Sequence, residues 1–183
     1  MNQDTLETTL LDAKLIQPKI YGDERGFFFE SFNARDFKKN YGIDELFVQD
    51  NHSRSPKNVL RGLHYQIHNA QGKLVRVVSG QVYDVIVDLR HSSSTFGKWQ
   101  GFYLSAENKT MLYIPPGFAH GFLVMSEYAD FLYKTTNYYD PSAERSIIWN
   151  DKDLAIEWPL EVEPILSAKD KNGTSFKEAE KYQ

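Results

Sequence analysis

Apolar residues recur at every second position along most of this chain, and turn residues cut the runs short. That pattern commits the fold to antiparallel strands rather than helices. In the run from Gln81 to Leu89, Tyr83, Val85, Val87 and Leu89 share one face, while Val82, Asp84 and Ile86 share the other. A carboxylate between two apolar residues marks Asp84 as an inward-pointing side chain. The run beginning at Lys73 alternates likewise, with Lys73 beside Val75 and Val77, and Ser79-Gly80 predicts a hairpin turn between the two strands. Further strands are predicted over residues 27–32, 47–51, 101–105, 111–114, 118–125 and 131–138. Residues 33–40 predict a short helix, N-capped by Asn33 and closed by Gly42. The polar stretch 167–183 predicts a surface helix with frayed ends. A chain of 183 residues fits one domain, residues 1–183, with an all-β sandwich or barrel and a few short helices.

Charge is unevenly placed. Residues 51–83 hold five Lys or Arg and no acidic residue, in a protein of net charge −4. Such a segment predicts a local electropositive site for an anionic ligand. It contains Arg61-Gly62-Leu63-His64-Tyr65-Gln66, with Lys73 nine residues beyond His64. An overall pI near 5.7 argues against non-specific nucleic-acid binding. The absence of cysteine removes disulfides and thiolate ligands and fits a reducing compartment. Residues 1–7 lack the basic and apolar regions of a signal peptide, and no apolar run approaches ~18 residues. The expectation is a cytoplasmic protein without membrane or nucleic-acid partners.

Pro115-Pro116-Gly117-Phe118-Ala119-His120 carries the spacing Pro-x-Gly-x-x-His, a rigid turn that launches a strand with a histidine near its start. This is a signal for a cupin barrel, in which that histidine would ligate a metal. A metal cupin would add two histidines one residue apart and a nearby glutamate, whereas this chain offers His64-Tyr65-Gln66. Two histidines without the carboxylate make a poor site for zinc or iron, so no metal and no cofactor is expected. His120 is expected to pair with a carboxylate such as Asp84. Aromatic residues reach 14%, and most read as core filling, although buried tyrosines need hydroxyl partners and can stack on a base or sugar.

Taken together, Asp23 to Glu30, Gln49-Asp50-Asn51, Arg61 to Gln66, Gln71-Gly72-Lys73, Pro115 to His120 and Ser167 to Asp170 resemble, in order, the dTDP-4-dehydrorhamnose 3,5-epimerase family. The resemblance implies a metal-free cupin jelly roll, a homodimer, and a dTDP-4-dehydro-6-deoxy-glucose substrate on the route to dTDP-rhamnose. It implies His64 as base, Asp170 as the carboxylate on its other ring nitrogen, Lys73 beside the C4 oxygen and Tyr133 as acid. It also implies Arg25 and Arg61 on the diphosphate, and Phe28, Glu30, Gln49, Asp50, Asn51, His120, Glu144 and Lys169 around the nucleotide and sugar. Tyr139 would stack on thymine, and Asp84 would support the site.

By pattern alone, Tyr133 reads as core, Asp170 as a solvated tail carboxylate and Lys73 as a strand-start lysine. The chemistry is nevertheless coherent. Hydrogens on C3 and C5 of a 4-keto sugar are both α to the carbonyl, so a base, an enolate stabiliser and an acid on the opposite face suffice to invert either centre. The same residues serve inversion at one carbon or at both. A non-catalytic nucleotide-sugar binder would need the arginines but not the base and acid, and a metal-dependent cupin lacks its ligand set here.

Overall fold

The structure, a computed structural model, describes residues 5–6 and 8–183. Residues 1–4 and 7, within the stretch expected to carry no targeting signal, lie outside the described residues. In chain order the strands are β1 (Thr5–Leu6), β2 (Lys14–Ile16), β3 (Tyr21–Asp23), β4 (Gly26–Phe28), β5 (Gln49–Pro56), β6 (Leu60–Gln66), β7 (Lys73–Ser79), β8 (Gln81–Asp88), β9 (Trp99–Ser105), β10 (Met111–Ile114), β11 (Phe118–Val124), β12 (Tyr128–Thr135) and β13 (Glu144–Ser146). Helices are α1 (Ala34–Tyr41) and α2 (Ala168–Lys171). A six-stranded sheet runs β1-β2-β10-β7-β12-β5, a five-stranded sheet runs β13-β6-β11-β8-β9, and β3 and β4 form a separate hairpin. The pairings between these strands are antiparallel. This is the all-β sandwich that the alternation demands, and it fits the cupin jelly roll that the resemblance implies. Among the described residues no helix is long and apolar enough to cross a membrane.

Alternation decides the layers. Val75, Val77, Leu112, Ile114 and Phe131 of one sheet meet Val82, Ile86, Phe102, Phe118 and Phe122 of the other in the central core. The outer face of the five-stranded sheet, with Leu63, Val85, Val87 and Leu123, lies under the chain beyond β13. On the outer face of the six-stranded sheet, Leu74, Met111 and Tyr113 meet Phe37 and Tyr41 of α1.

Four expectations need correction, one being that the strand expected over 131–138 runs instead over Tyr128–Thr135. Ser79-Gly80 does not close a hairpin, because β7 and β8 lie in different sheets and the chain crosses the sandwich at Gly80. Inward valines on both strands are equally compatible with pairing side by side and with facing each other across a core, so alternation alone does not distinguish the two. Gly80 has φ +75°, and a Cβ there would approach the Tyr128 carbonyl oxygen to 2.1 Å, so the crossing requires glycine. The strand expected over 27–32 stops at Phe28. Phe32 instead precedes the cap Asn33 and packs, tilted, against Phe37 one turn inside α1 with ring centroids 5.1 Å apart, a hydrophobic staple that fixes the helix entry. The 167–183 segment is helical only over Ala168–Lys171. Beyond α2, Phe176, Ala179 and Tyr182 cover the five-stranded sheet, and the Tyr182 hydroxyl donates to the Gln66 carbonyl at 2.5 Å.

The short helix behaves as expected, with Asn33 accepting from the Asp36 amide and Gly42 closing the end in the left-handed region. Strand β5 is longer than expected because its inward residues Gln49, Asn51, Ser53 and Ser55 are all polar and give no apolar rhythm.

Candidate active site

At one end of the sandwich the apolar core gives way to a cavity of about 270 Å³, lined from both sheets. The five-stranded sheet supplies Arg61 and His64 from β6, His120 from β11 and Glu144 from β13, and the six-stranded sheet supplies Ser53, Lys73 and Tyr133. Inward parity on β7 and β12 brings Lys73 and Tyr133 in beside Val75 and Phe131. Arg61 and His64 are three residues apart, so regular alternation would send them to opposite faces. They share the cavity because β6 carries an extra residue there: His120 pairs with His64 but Phe122 pairs with Arg61. Gly62 sits in that irregularity at φ +117°, where a Cβ would lie 2.5 Å from the Gly121 Cα. The two strands approach more closely than any side chain would allow.

Each cavity histidine is held by a carboxylate. Asp170, 3% exposed, accepts from His64 Nε2 at 2.6 Å, from the Gly62 amide at 3.2 Å and from the Ser167 hydroxyl at 2.6 Å. Burial alone would raise its pKa, but the hydrogen bonds from His64 and Ser167 outweigh that and hold it at about 2. An ionised Asp170 fixes the proton of neutral His64 on Nε2 and leaves Nδ1 as the basic nitrogen. Asp84, fully buried, accepts from His120 Nε2 at 2.9 Å. Burial lowers the His120 pKa despite Asp84, which favours a neutral ring. Lys73 is 8% exposed, and burial lowers its pKa to about 8 against the upward pull of Asp84 and Glu144. The ammonium form still predominates at neutral pH. Burial raises the Tyr133 pKa, with Arg61 opposing, so the phenol keeps its proton.

At the mouth, Glu144 accepts from the Tyr139 hydroxyl at 2.8 Å and pairs with Lys169. Gln49 accepts from the Tyr139 amide at 3.0 Å and donates to Asn51 at 3.0 Å. Arg61 reaches in with its Nε on the buried Ser55 hydroxyl at 3.0 Å. Three cations, Arg61, Lys73 and Lys169, therefore border one cavity, as the 51–83 charge bias anticipates for part of the set. The arrangement can bind an anion and move a proton. Among the described residues no group of three or more His, Cys, Asp or Glu side chains is placed to hold a metal ion.

A family model described as dTDP-4-dehydrorhamnose 3,5-epimerase matches residues 7–178. The chain belongs to this epimerase family. Over 169 residues it is 59% identical to the dTDP-4-dehydrorhamnose 3,5-epimerase of Pseudomonas aeruginosa, covering 92% of this chain and 93% of that one. The Salmonella typhimurium epimerase is 60% identical over 166 residues, 90% of this chain and 91% of its own. A crystal structure of dTDP-6-deoxy-D-glucose-3,5-epimerase from Legionella pneumophila in complex with dTDP-4-keto-L-rhamnose superposes with a TM-score of 0.95, at 52% identity and 98% coverage of both chains.

The epimerase fold brings together His64, Lys73, Tyr133, Asp170, His120, Asp84, Arg61, Glu144, Lys169 and Tyr139, with Gln49 and Asn51 continuing the β5 wall. Four other expected residues are not brought to the cavity within one chain. Asp50 lies on the opposite face of β5, paired with Lys134 at 2.8 Å, because adjacent strand residues point apart. Arg25 pairs with Asp23 on the β3–β4 hairpin with 85% of its side chain exposed. Phe28 on the same hairpin is 65% exposed, and Glu30 just beyond it is exposed, accepting from Asn33. Ser53, Ser55 and Ser167 were not singled out from sequence. Ser53 and Ser55 share the parity of Gln49 and Asn51, and Ser167 stands three residues before an acidic side chain in a helix-capping pattern, so both signals were present.

Proposed function

We propose that this cavity converts dTDP-4-dehydro-6-deoxy-D-glucose to dTDP-4-dehydro-L-rhamnose by inverting C3 and C5, a step of dTDP-rhamnose biosynthesis. His64 Nδ1 removes the proton α to the C4 ketone, and Asp170 steadies the imidazolium that forms. The ammonium of Lys73 meets the negative charge that develops on the C4 oxygen; such preorganised donors are each worth ~2.7–4 kcal/mol. Tyr133 returns a proton from the other side of the sugar ring. The observation that carries this reading is one cavity lined by His64 from one sheet, held by Asp170 of α2, and by the protonated Tyr133 and buried Lys73 from the other. The reaction is redox-neutral, and these groups supply the base, acid and positive charge without a metal or cofactor.

Arg61 grips the diphosphate, where a planar guanidinium fork matches phosphate oxygens. Lys169, Glu144, Gln49, Asn51 and His120 contact nucleotide and sugar, and Tyr139 stacks on thymine. The second diphosphate arginine, Arg25, serves the cavity of a partner copy, carried there with Phe28 and Glu30 on the β3–β4 hairpin. Support comes from the 63% and 65% exposure of Phe27 and Phe28, adjacent apolar residues of β4 that association would cover. The whole chain acts as one domain in a cytoplasmic homodimer, with no nucleic-acid or membrane partner. The test is proton NMR of the substrate with enzyme in deuterated water. Deuterium entering both C3 and C5 with inversion is expected, and an unchanged spectrum would reject the assignment.

A further inference from the structure

The carboxylate of Asp170 is held at both oxygens. Oδ1 accepts from His64 Nε2 at 2.6 Å and from the Gly62 amide at 3.2 Å, whereas Oδ2 accepts from the Ser167 hydroxyl at 2.6 Å. Ser167 Oγ also accepts from the Asp170 backbone amide at 3.1 Å. One hydroxyl therefore caps α2 and clamps the side chain that the helix presents to His64. The amide occupies an acceptor position on Oγ, which directs the hydroxyl proton to the carboxylate. Asp170 is 3% exposed, so bulk water is poorly placed to replace that donor. Without it the carboxylate is tethered through Oδ1 alone and is free to turn about its side-chain bonds.

We infer that Ser167 is a positioning residue for proton abstraction, acting through Asp170 to set the orientation of the His64 ring. The inference rests on the reading of His64 as the base. Ser167 does not line the cavity itself but an adjoining groove with Val59, Ile165 and Leu166, which shares Arg61, His64 and Lys169 with the cavity. It acts on alignment rather than affinity, and loss of a hydrogen bond to a buried charged group is large enough to be read in turnover.

The experiment measures kcat, KM and dTDP affinity for Ser167→Ala, Ser167→Thr, Asp170→Asn and the double variant Ser167→Ala/Asp170→Asn. Ser167→Ala is expected to lower kcat on the order of tenfold with dTDP affinity within about twofold of the parent, because the hydroxyl serves a charged acceptor. Ser167→Thr, which keeps the hydroxyl, is expected to retain most of the turnover. In the Asp170→Asn background the serine change is expected to cost little more, since both act through one carboxylate. A serine effect of full size in that background, or unchanged kcat in Ser167→Ala while Asp170→Asn is impaired, overturns the role of Ser167 and leaves the base assignment standing. Unimpaired kcat in Asp170→Asn removes the carboxylate, and Ser167 with it, from proton abstraction, whereas the base assignment itself falls only if His64→Asn keeps its kcat.

Discussion

Lys73 stays charged at neutral pH in spite of its burial, which lowers its pKa to about 8 against the pull of Asp84 and Glu144. Deprotonation removes the positive charge that meets the enolate oxygen, so kcat/KM, which reports the free enzyme, is expected to fall as pH rises through about 8. Stability responds with the opposite sign. Between about 8 and the ordinary lysine value of 10.5 the unfolded chain binds the additional proton, so the contribution of Lys73 to stability rises with pH in that window. A pH–rate profile whose alkaline limb is unaltered in Lys73→Arg, where the cation titrates far higher, would assign that limb to another group. At this scale the sequence was uneven. His64 and Lys73 stood out through the basic segment, and the Asp84–His120 pair followed from parity. Asp170 and Tyr133 had no local signature, since the tail reaches His64 only through folding and a phenol on an apolar strand resembles core.

The elements were legible wherever one face is apolar. β10 and β11 match their expected spans to within a residue, and α1 announced itself through its cap and its glycine. What failed were contacts that alternation does not encode: the crossing at Gly80, the role of Phe32 as a staple, and the polar inner face of β5. The close approach of β6 and β11 gives this scale its own prediction. Gly62→Ala places a methyl 2.5 Å from the Gly121 Cα and 2.7 Å from the His120 carbonyl oxygen, at a φ that L-residues rarely adopt. The strands must part, and His64 and His120 move with them. Denaturant unfolding is expected to show a loss of roughly 2–4 kcal/mol, with turnover falling more steeply than the fraction folded. A variant with parental stability and kcat would mean that the bulge does not set the site.

For the molecule as a whole, Arg25, proposed to serve the diphosphate, lies on the exposed β3–β4 hairpin and not in its own chain's cavity. If Arg25 serves a partner cavity, Arg25→Ala and His64→Asn, each weakly active alone, should complement on mixing and subunit exchange, recovering roughly a quarter of parental activity in a two-site dimer. No recovery, with exchange verified by mass, would place each site within one subunit. In the proposed mechanism the two sheets take opposite tasks, the base on the five-stranded sheet and the acid on the six-stranded one, and this division is its centre. It is tested most directly by following deuterium entry and inversion at C3 and C5 together, by proton NMR in deuterated water, for His64→Asn and Tyr133→Phe. His64→Asn should lose both by ~10²–10⁴, because no carbanion forms. Tyr133→Phe should still admit deuterium, but faster than either centre inverts, because abstraction and return on the His64 face continue without a donor opposite. Equal loss of exchange and inversion in Tyr133→Phe, with dTDP binding intact, would contradict the division of base and acid between the sheets.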